Sequence, residues 1–294
     1  KTLDQLCLTG AVGWGRLSPH PATLEALTKE KRRVIPTSVA PITFFVREDA
    51  EWMISQREEG EAETIGLSPD ATAVLQFLRQ RGASFFADIV RGTGKLKAEV
   101  ETALWELVAA GVLTADGFDN LRALIDPKRR SGQGSGRTSR PRHSAGRWSL
   151  LYSGEMQDRS RALEATCWML LHRYGIVFRE LLSSETILPK WRELLITLRR
   201  LEDRGEVRGG RFVSGFLGEQ FALPLAVESL RALRSQQPTG EVVTISAADP
   251  LNLVGTVVPG KRVPANSGKL VSFRDGVSVE TDELANVIRM PATR

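Results

Sequence analysis

An Asp-Pro pair stands between two stretches rich in β-branched residues near the end of the chain, within SAADPLNL at residues 246–253. The carboxylate of Asp249 could polarise a water molecule as a general base, or stabilise a cationic sugar, if it lay in a cleft. An Asp followed by Pro can equally form a turn in which the Asp side chain accepts a backbone hydrogen bond. The sequence leaves both interpretations of Asp249 open.

A second candidate for chemistry is GTGK at residues 92–95, which resembles the end of a phosphate-binding loop. The earlier glycine of such a loop is missing, and Leu96 follows Lys95 where a Ser or Thr would contact Mg²⁺. We therefore interpret these glycines as a turn between two helices. Cys7 and Cys167 are far apart and the three histidines are scattered, so the sequence predicts no metal site and no cofactor in this chain.

Basic side chains gather where two recognition helices are predicted to begin. One group is Lys95 and Lys97, and the other is Lys190 and Arg192 with Trp191 between them. Helix N-termini point backbone N–H groups at phosphates, and cations there strengthen the attraction. A row of arginines continues from the second helix into the hairpin after it: Arg199, Arg200, Arg204, Arg208 and Arg211. We predict a DNA-binding surface that includes Lys95, Lys97, Lys190, Trp191, Arg192, Arg199, Arg208 and Arg211. The alternatives are that Trp191 packs in the core, that the lysines are only solvated, and that interleaved acids pair with part of the row.

The elements that would position these side chains occur twice. Each copy has a Phe that opens a short helix, a longer helix that ends at Gly, and a hairpin around Gly. From Phe86 to Gly111 is 25 residues, and from Phe178 to Gly205 is 27. A helix-turn-helix followed by such a wing is most often a surface that meets nucleic acid.

Local signals set the expected bounds of these helices. Ser68 is a good N-cap for a helix with Pro69 in its first turn, which Gly82 would end. In the second copy, Pro189 opens the recognition helix and residues 207–221 form the wing. The inner faces of the two recognition helices are predicted from their apolar spacing to be Val100, Leu104, Leu107 and Val108, and Leu194, Leu195, Leu198 and Leu201.

Five stretches have the pattern of β-strands. They are residues 10–17 and 41–47 near the N-terminus, and 241–246, 253–258 and 270–274 near the C-terminus. Because the first two lack other strands nearby in sequence, we predict that they join the C-terminal strands in one small barrel.

The predicted fold class is therefore α+β, with tandem winged-helix modules and a small β-barrel formed from N- and C-terminal strands. The expected segments are 1–66 (N-terminal helix and barrel strands), 67–126 (first winged helix), 127–147 (basic disordered linker), 148–234 (second winged helix) and 235–294 (C-terminal part of the barrel).

Charge is unevenly distributed along the chain. Its 294 residues carry a net charge of +5, from 40 basic and 35 acidic side chains. Seven of the basic residues and no acid lie in segment 127–147, so the rest holds 33 basic residues against 35 acids. This Gly- and Ser-rich segment is predicted to be a solubilising tether, or alternatively a sequence-independent contact to phosphates.

No stretch of 18 apolar residues is present, and the N-terminus lacks both a signal-peptide pattern and an initiator Met. We therefore expect a fragment of a larger protein that is not bound to a membrane.

Five sequences carry a resemblance to a known family: LCLTGAVGWGRL (6–17), FFADI (85–89), LWELVAAG (104–111), GGRFVSGFLGEQFALP (209–224) and SAADPLNL (246–253). Together they resemble the C-terminal part of Lhr, the large helicase-related proteins of bacteria. The resemblance extends over nearly the whole chain apart from 127–147 and roughly the last twenty residues.

This resemblance implies part of an ATP-dependent DNA repair helicase that moves 3′ to 5′ on single strands. ATP and Mg²⁺ would belong to modules outside this chain. The protein would be cytoplasmic and associated with the nucleoid. The same region of the family is similar to tandem winged-helix and barrel glycosylases, and uracil excision is associated with long Lhr proteins. The Gln-x-Gln motif of the alkylation glycosylases is absent here. Under this resemblance Asp249 and Asp275 are the carboxylates that could be catalytic.

Three functions are consistent with the sequence. The chain is a DNA-binding accessory region of a repair helicase, with single-stranded DNA and the helicase modules as partners; or it is a DNA glycosylase for uracil or damaged bases; or it is a non-catalytic scaffold that self-associates.

Overall fold

The computed structural model describes residues 2–17, 42–48, 50, 53, 67–118, 120, 146–151, 158–185 and 188–279. The chain divides into two compact units, residues 1–169 with 187–190 and residues 170–186 with 191–294. Among the described helices, none combines the length and the apolar character needed to cross a membrane. The predicted basic linker at 127–147 lies outside the described residues except for its last two positions.

The N-terminal elements belong to the first unit. Helix α1 (Thr2–Leu8) leads into β1 (Val12–Gly15), which pairs antiparallel with β2 (Thr43–Val46). Gly13 faces Phe45 across this pair, and a Cβ on Gly13 would lie 2.5 Å from the Phe45 ring. Glycine is therefore required for the aromatic ring to cover the strand.

The predicted barrel is wrong. Strands β1 and β2 pair with each other in a separate two-stranded sheet, and no closed barrel forms within the described residues. Thr114 donates a hydrogen bond of 2.5 Å from its hydroxyl to the carbonyl of Trp14, which fixes β1 within the first unit. Trp14 is fully buried there, so the N-terminal strands already have a core to cover.

Three helices and a hairpin follow. Helix α2 (Pro69–Arg81) starts at Ser68, whose hydroxyl accepts from the amide of Ala71, as the sequence predicts. Helix α3 (Phe86–Thr93) ends at Gly94 in the left-handed region, at φ 66°. Helix α4 (Lys97–Ala109) buries the whole predicted inner face. GTGK is accordingly the end of α3 and the turn that follows it, not a phosphate-binding loop.

The buried carboxylate of Glu106 joins two of these helices. It accepts hydrogen bonds of 2.7 Å from both the amide and the hydroxyl of Ser68 at the start of α2. Glu106 is only 6% exposed. A carboxylate is stable in this place because it meets unpaired N–H groups at a helix N-terminus.

The hairpin of the first unit closes over a long connection. Strand β3 (Leu113–Ala115) pairs antiparallel with β4 (Trp148–Leu150). Trp148 also exchanges two backbone hydrogen bonds with Ser84. Residues 148–150, which the sequence analysis assigned to the second module, therefore pair with the first; the other predicted segment boundaries stay predictions.

The second unit contains the end of α5 (Arg159–Tyr174) and the elements after it. Strand β5 (Ile176–Val177) is followed by a 3-10 helix at Leu181–Ser184 and by α6 (Trp191–Asp203). Phe178 was expected in an α-helix like Phe86, but it lies before the 3-10 turn, buried in the core. The two copies of the repeated unit therefore differ at this position.

A three-stranded sheet and a helix complete the second module. Strands β6 (Arg208–Gly210) and β7 (Gln220–Ala222) form the predicted wing, and β7 also pairs with β5. Helix α7 (Pro224–Ser235), which the sequence analysis missed, buries none of its residues.

The C-terminal strands form their own antiparallel sheet in the second unit. Strand β8 (Val242–Ser246) pairs with β9 (Leu270–Arg274), which pairs with β10 (Val277–Val279). The strand expected at 253–258 is instead a turn closed by a single bridge between Val254 and Val258. Leu253 and Val257 pack on the core of Ile176, Phe178, Leu181 and Ala222, which attaches this sheet to the second module.

Candidate nucleic-acid interface

The recognition helix of the second module begins with an aromatic residue between two cations. Lys190 is exposed just before α6, Trp191 at the first helical position is half-buried, and Arg192 is exposed. Leu194, Leu198 and Leu201 are buried on the opposite side of the helix. The burial pattern therefore leaves the polar face of α6 open to a ligand.

A cleft of about 850 Å³ lies between α6 and the wing. Its charged lining residues are Arg199, Arg211, Glu202, Asp203 and Glu219. Three carboxylates outnumber two guanidinium groups, so the cleft itself does not attract a polyanion. Glu202 and Asp203, two of the acids interleaved with the arginine row, line this cleft, and their neutralisation of the row stays a prediction.

Arg199 is held by a partner that the sequence analysis missed. Its Nε donates a hydrogen bond of 2.9 Å to Glu219 Oε2, and its Nη2 donates to Oε1. Hydrogen bonding to Glu219 raises the pKa of Arg199, and the same contact lowers the pKa of Glu219. Glu219 is therefore ionised at neutral pH, and its protonation does not separate the pair there.

The wing loop is organised from inside by Gln220. Its Oε1 accepts hydrogen bonds of 2.8 Å from the amides of Phe212 and Val213, and its Nε2 donates 2.8 Å to the carbonyl of Val213. Gln220 is fully buried. It fixes the backbone directly after Arg211, while Leu217 farther along the same loop is 82% exposed.

Two arginines of the wing and one at the start of α6 are available to contact a ligand. Arg192, Arg208 and Arg211 are exposed and form no ion pair with any residue that the structure describes. Arg204, by contrast, donates 2.5 Å from its Nε to Glu206. Arg200 is exposed on α6, the helix that also carries Arg192.

The corresponding cations of the first unit are partly neutralised. The ammonium group of Lys95 lies 2.6 Å from Asp70 Oδ1, and this hydrogen bond raises the pKa of the lysine. Lys97 is exposed in the first turn of α4. Lys95 therefore joins α4 to α2, which leaves Lys97 as the more available of the two.

The two candidate carboxylates lie at opposite ends of the β8–β9 ladder. Asp249 follows the Ser246 end and accepts 2.9 Å from the amide of Leu251, which is the turn geometry expected as one alternative. Asp275 follows the Arg274 end, and its carboxylate accepts from the amides of Thr239 and Gly240 at 2.9–3.1 Å. Four residue steps separate these ends, about 13 Å along the strand. The carboxylates cannot act as a close pair, and a catalytic role for either one stays a prediction.

Among the described residues, no cluster of His, Cys, Asp and Glu has the arrangement of a metal site. Both cysteines are buried and reduced. Burial, more than the nearby charge of Glu164, raises the pKa of the Cys167 thiol to about 12, so it is a poor nucleophile at neutral pH.

Comparisons with known proteins agree with this module. A family model described as "Large helicase-related protein, winged-helix domain" matches residues 156–242. The chain is 29% identical over 298 residues to the "Lhr helicase/uracil glycosylase" of Escherichia coli (strain K12), across 92% of this chain and 18% of that protein. It is 30% identical over 237 residues to the "Lhr helicase/ probable uracil glycosylase" of Mycolicibacterium smegmatis, across 69% of this chain and 15% of that protein. The chain thus spans less than one fifth of the length of either relative.

Proposed function

Because the chain belongs to the Lhr family of large helicase-related proteins and corresponds to their C-terminal region, we propose that it is a DNA-binding accessory region of an ATP-dependent helicase. The helicase modules, with their ATP and Mg²⁺, would lie outside this sequence. We also propose that α2, α3, α4 and the β3–β4 hairpin form a winged helix like that of the second unit, so that the modules are tandem.

The observation that carries this proposal is the set of guanidinium groups at the start of α6 and in the wing of the second module that form no ion pair with a described residue, among them Arg211, which lines the α6–wing cleft but is not paired with its carboxylates. Arg192, Arg208 and Arg211 present guanidinium groups that no described carboxylate neutralises, so they can pair with phosphates without first breaking an ion pair. Trp191 beside Arg192 offers a ring on which a base can stack. The exposed Leu217 can contact sugar or base edges.

The experiment is a binding titration of the whole chain with a fluorescent single-stranded oligonucleotide at several salt concentrations. Each phosphate contact on a single strand contributes about 0.7 to the slope of log Kobs against log salt. The double variant Arg208→Gln/Arg211→Gln should therefore reduce the slope by about 1.4. The matched control, Arg231→Gln/Arg234→Gln, removes the same charge from exposed positions on α7 and should leave the slope near that of the wild type.

Two results would refute the proposal. One is a wild-type chain that fails to bind the oligonucleotide at low salt. The other is a wing variant that binds with the wild-type affinity and slope.

The ion pair of Arg199 and Glu219 allows an independent test, in which DNA affinity should rise and not fall. Substitution Glu219→Gln removes the carboxylate that holds Arg199 and makes the cleft more positive, so DNA should bind more tightly. In the Glu219→Gln background, the further change Arg199→Gln should then weaken binding more than it does in the wild type. Equal effects of Arg199→Gln in the two backgrounds would show that the arginine never reaches a phosphate.

A second candidate function is DNA glycosylase activity, since the name of the Escherichia coli relative includes uracil glycosylase. Asp249 or Asp275 would then act on a flipped nucleotide. Strand cleavage after alkali on a uracil-containing oligonucleotide, lost in Asp249→Asn or Asp275→Asn with folding intact, would support it. Absence of cleavage by the wild-type chain, or full activity in both variants, would contradict these assignments.

A further inference from the structure

The C-terminal sheet carries a cleft of about 480 Å³ that the arginine row does not reach. It lies beside β9 and β10 and is lined on its other side by the loop at residues 260–264. Its charged lining residues are Lys261, Arg262 and Lys269, and no acid among the described residues lines it. This charge contrasts with the α6–wing cleft, where carboxylates predominate.

None of the three cations is neutralised within the part of the chain that the structure describes. Lys261, Arg262 and Lys269 are all exposed, and none forms an ion pair with a described residue. Three like charges around one cleft repel one another, so an anion in the cleft relieves this repulsion.

The loop that carries Lys261 and Arg262 is fixed at both ends. Ser278 on β10 donates 3.0 Å from its hydroxyl to the carbonyl of Pro259. At the other end, Asn252 Nδ2 donates 3.3 Å to the carbonyl of Val263 and 3.0 Å to that of Ala247. The Asn of the SAADPLNL sequence thus positions the cationic loop against the sheet.

Two glycines allow the close packing that shapes this loop. A Cβ on Gly255, at φ +78°, would lie 2.9 Å from the backbone of Arg262. One on Gly260, at φ +138°, would lie 2.9 Å from Val254 Cγ1. The loop backbone therefore has little freedom, and the positions from which the Lys261 and Arg262 side chains extend are fixed before a ligand arrives.

We propose that this cleft is a second phosphate-binding site, which contacts the sugar–phosphate backbone of a DNA single strand. The inference rests on the proposed function and assigns a separate contact to the C-terminal sheet. The three cations lie on two separate segments, and Leu270 in the lining is 67% exposed, which suits a sugar or base edge. A strand fits this combination better than a free phosphate ion does.

The test compares Lys261→Gln/Arg262→Gln with the same α7 control, Arg231→Gln/Arg234→Gln, in the oligonucleotide titration. Loss of two single-strand phosphate contacts should reduce the salt slope by about 1.4 and the affinity at 0.1 M salt by roughly 25-fold. The control carries the same change of net charge and should shift neither quantity by comparable amounts. Thermal melts would establish that both variants fold.

A measurement on the wild-type chain needs no variant. Acetylation by an amine-reactive ester, read by mass spectrometry, should be suppressed at Lys261 and Lys269 by the oligonucleotide and not by inorganic phosphate at matched ionic strength. Equal protection by inorganic phosphate would assign the cleft to a small anion and overturn the proposal.

The possible failures are distinguishable. A chain that binds no oligonucleotide contradicts the proposed function as a whole. A chain whose binding depends on Arg208 and Arg211, but whose Lys261→Gln/Arg262→Gln variant keeps the wild-type slope and whose lysines stay reactive, contradicts this inference alone.

Discussion

Replacing Gln220 with leucine removes the side chain that holds the wing loop while keeping an apolar group of similar size in the core. The amides of Phe212 and Val213 and the carbonyl of Val213 then lose their partner. A neutral hydrogen bond contributes about 1 kcal/mol net, and a buried group left unpaired costs up to about 3 kcal/mol. Since both residues are half-buried, water can reach part of the loop, and we expect local opening to become easier by about 2–4 kcal/mol.

Amide hydrogen exchange reads this local effect directly. At about 1.4 kcal/mol per factor of ten, exchange at Phe212 and Val213 should accelerate by roughly 30- to 700-fold. The control Gln236→Leu changes an exposed glutamine after α7 and should leave these two amides unaffected. DNA affinity should fall in Gln220→Leu, because Arg211 is no longer held. If both amides exchange at unprotected rates in the wild type, or at unchanged rates in Gln220→Leu, Gln220 does not organise the wing.

Three further substitutions or treatments probe the remaining buried groups. Glu106→Gln should destabilise the first unit by about 1–3 kcal/mol in urea unfolding, since charged hydrogen bonds are lost. In a double-mutant cycle with Ser68→Ala the two free-energy changes should be non-additive. Additive changes would show that Glu106 and Ser68 do not interact. Gly92→Ala would normally favour a helix, but its Cβ would lie 2.0 Å from the Phe77 ring. This overlap should lower the free energy of unfolding of the first unit by about 1–3 kcal/mol. Phe77→Ala in the same chain should restore part of that free energy. The Cys167 thiol should not react with a thiol reagent at pH 8 in the folded chain, and rapid labelling would contradict its burial. Because burial raises the pKa of this thiol to about 12, its contribution to the free energy of unfolding should be lost as pH rises from about 9 towards 12.

Features that depend on neighbouring residues could be predicted from the sequence. Ser68, Pro69 and Gly94 act within one or two turns of their own positions, so the helix ends that they set were predictable. The inner face of α4 followed from apolar spacing for the same reason, and so did Leu194, Leu198 and Leu201 on α6. Leu195, predicted on the same inner face, is instead half-buried and lines the α6–wing cleft. The wing of the second module followed from the glycines around it.

Features that depend on distant residues could not be predicted. The sequence analysis predicted β1 as a strand but not its partner, and it did not predict β4 at all, because pairing depends on which core each strand covers. This is why the barrel prediction failed and why Trp148 was assigned to the wrong module. In the candidate site, the positions of the arginines were evident, but the neutralisation of Arg199 by Glu219 requires the wing to fold back onto α6.

The pairing of β3 with β4 has a consequence for the integrity of the polypeptide. Trp148 is fully enclosed and exchanges hydrogen bonds with Ser84 as well as with β3, so noncovalent contacts hold this strand in its place. A protease that cleaved the backbone between Asp116 and Gly146 would yield two fragments on a denaturing gel, yet both should elute together from a sizing column. Such a nicked protein would retain its first unit without peptide continuity through the hairpin.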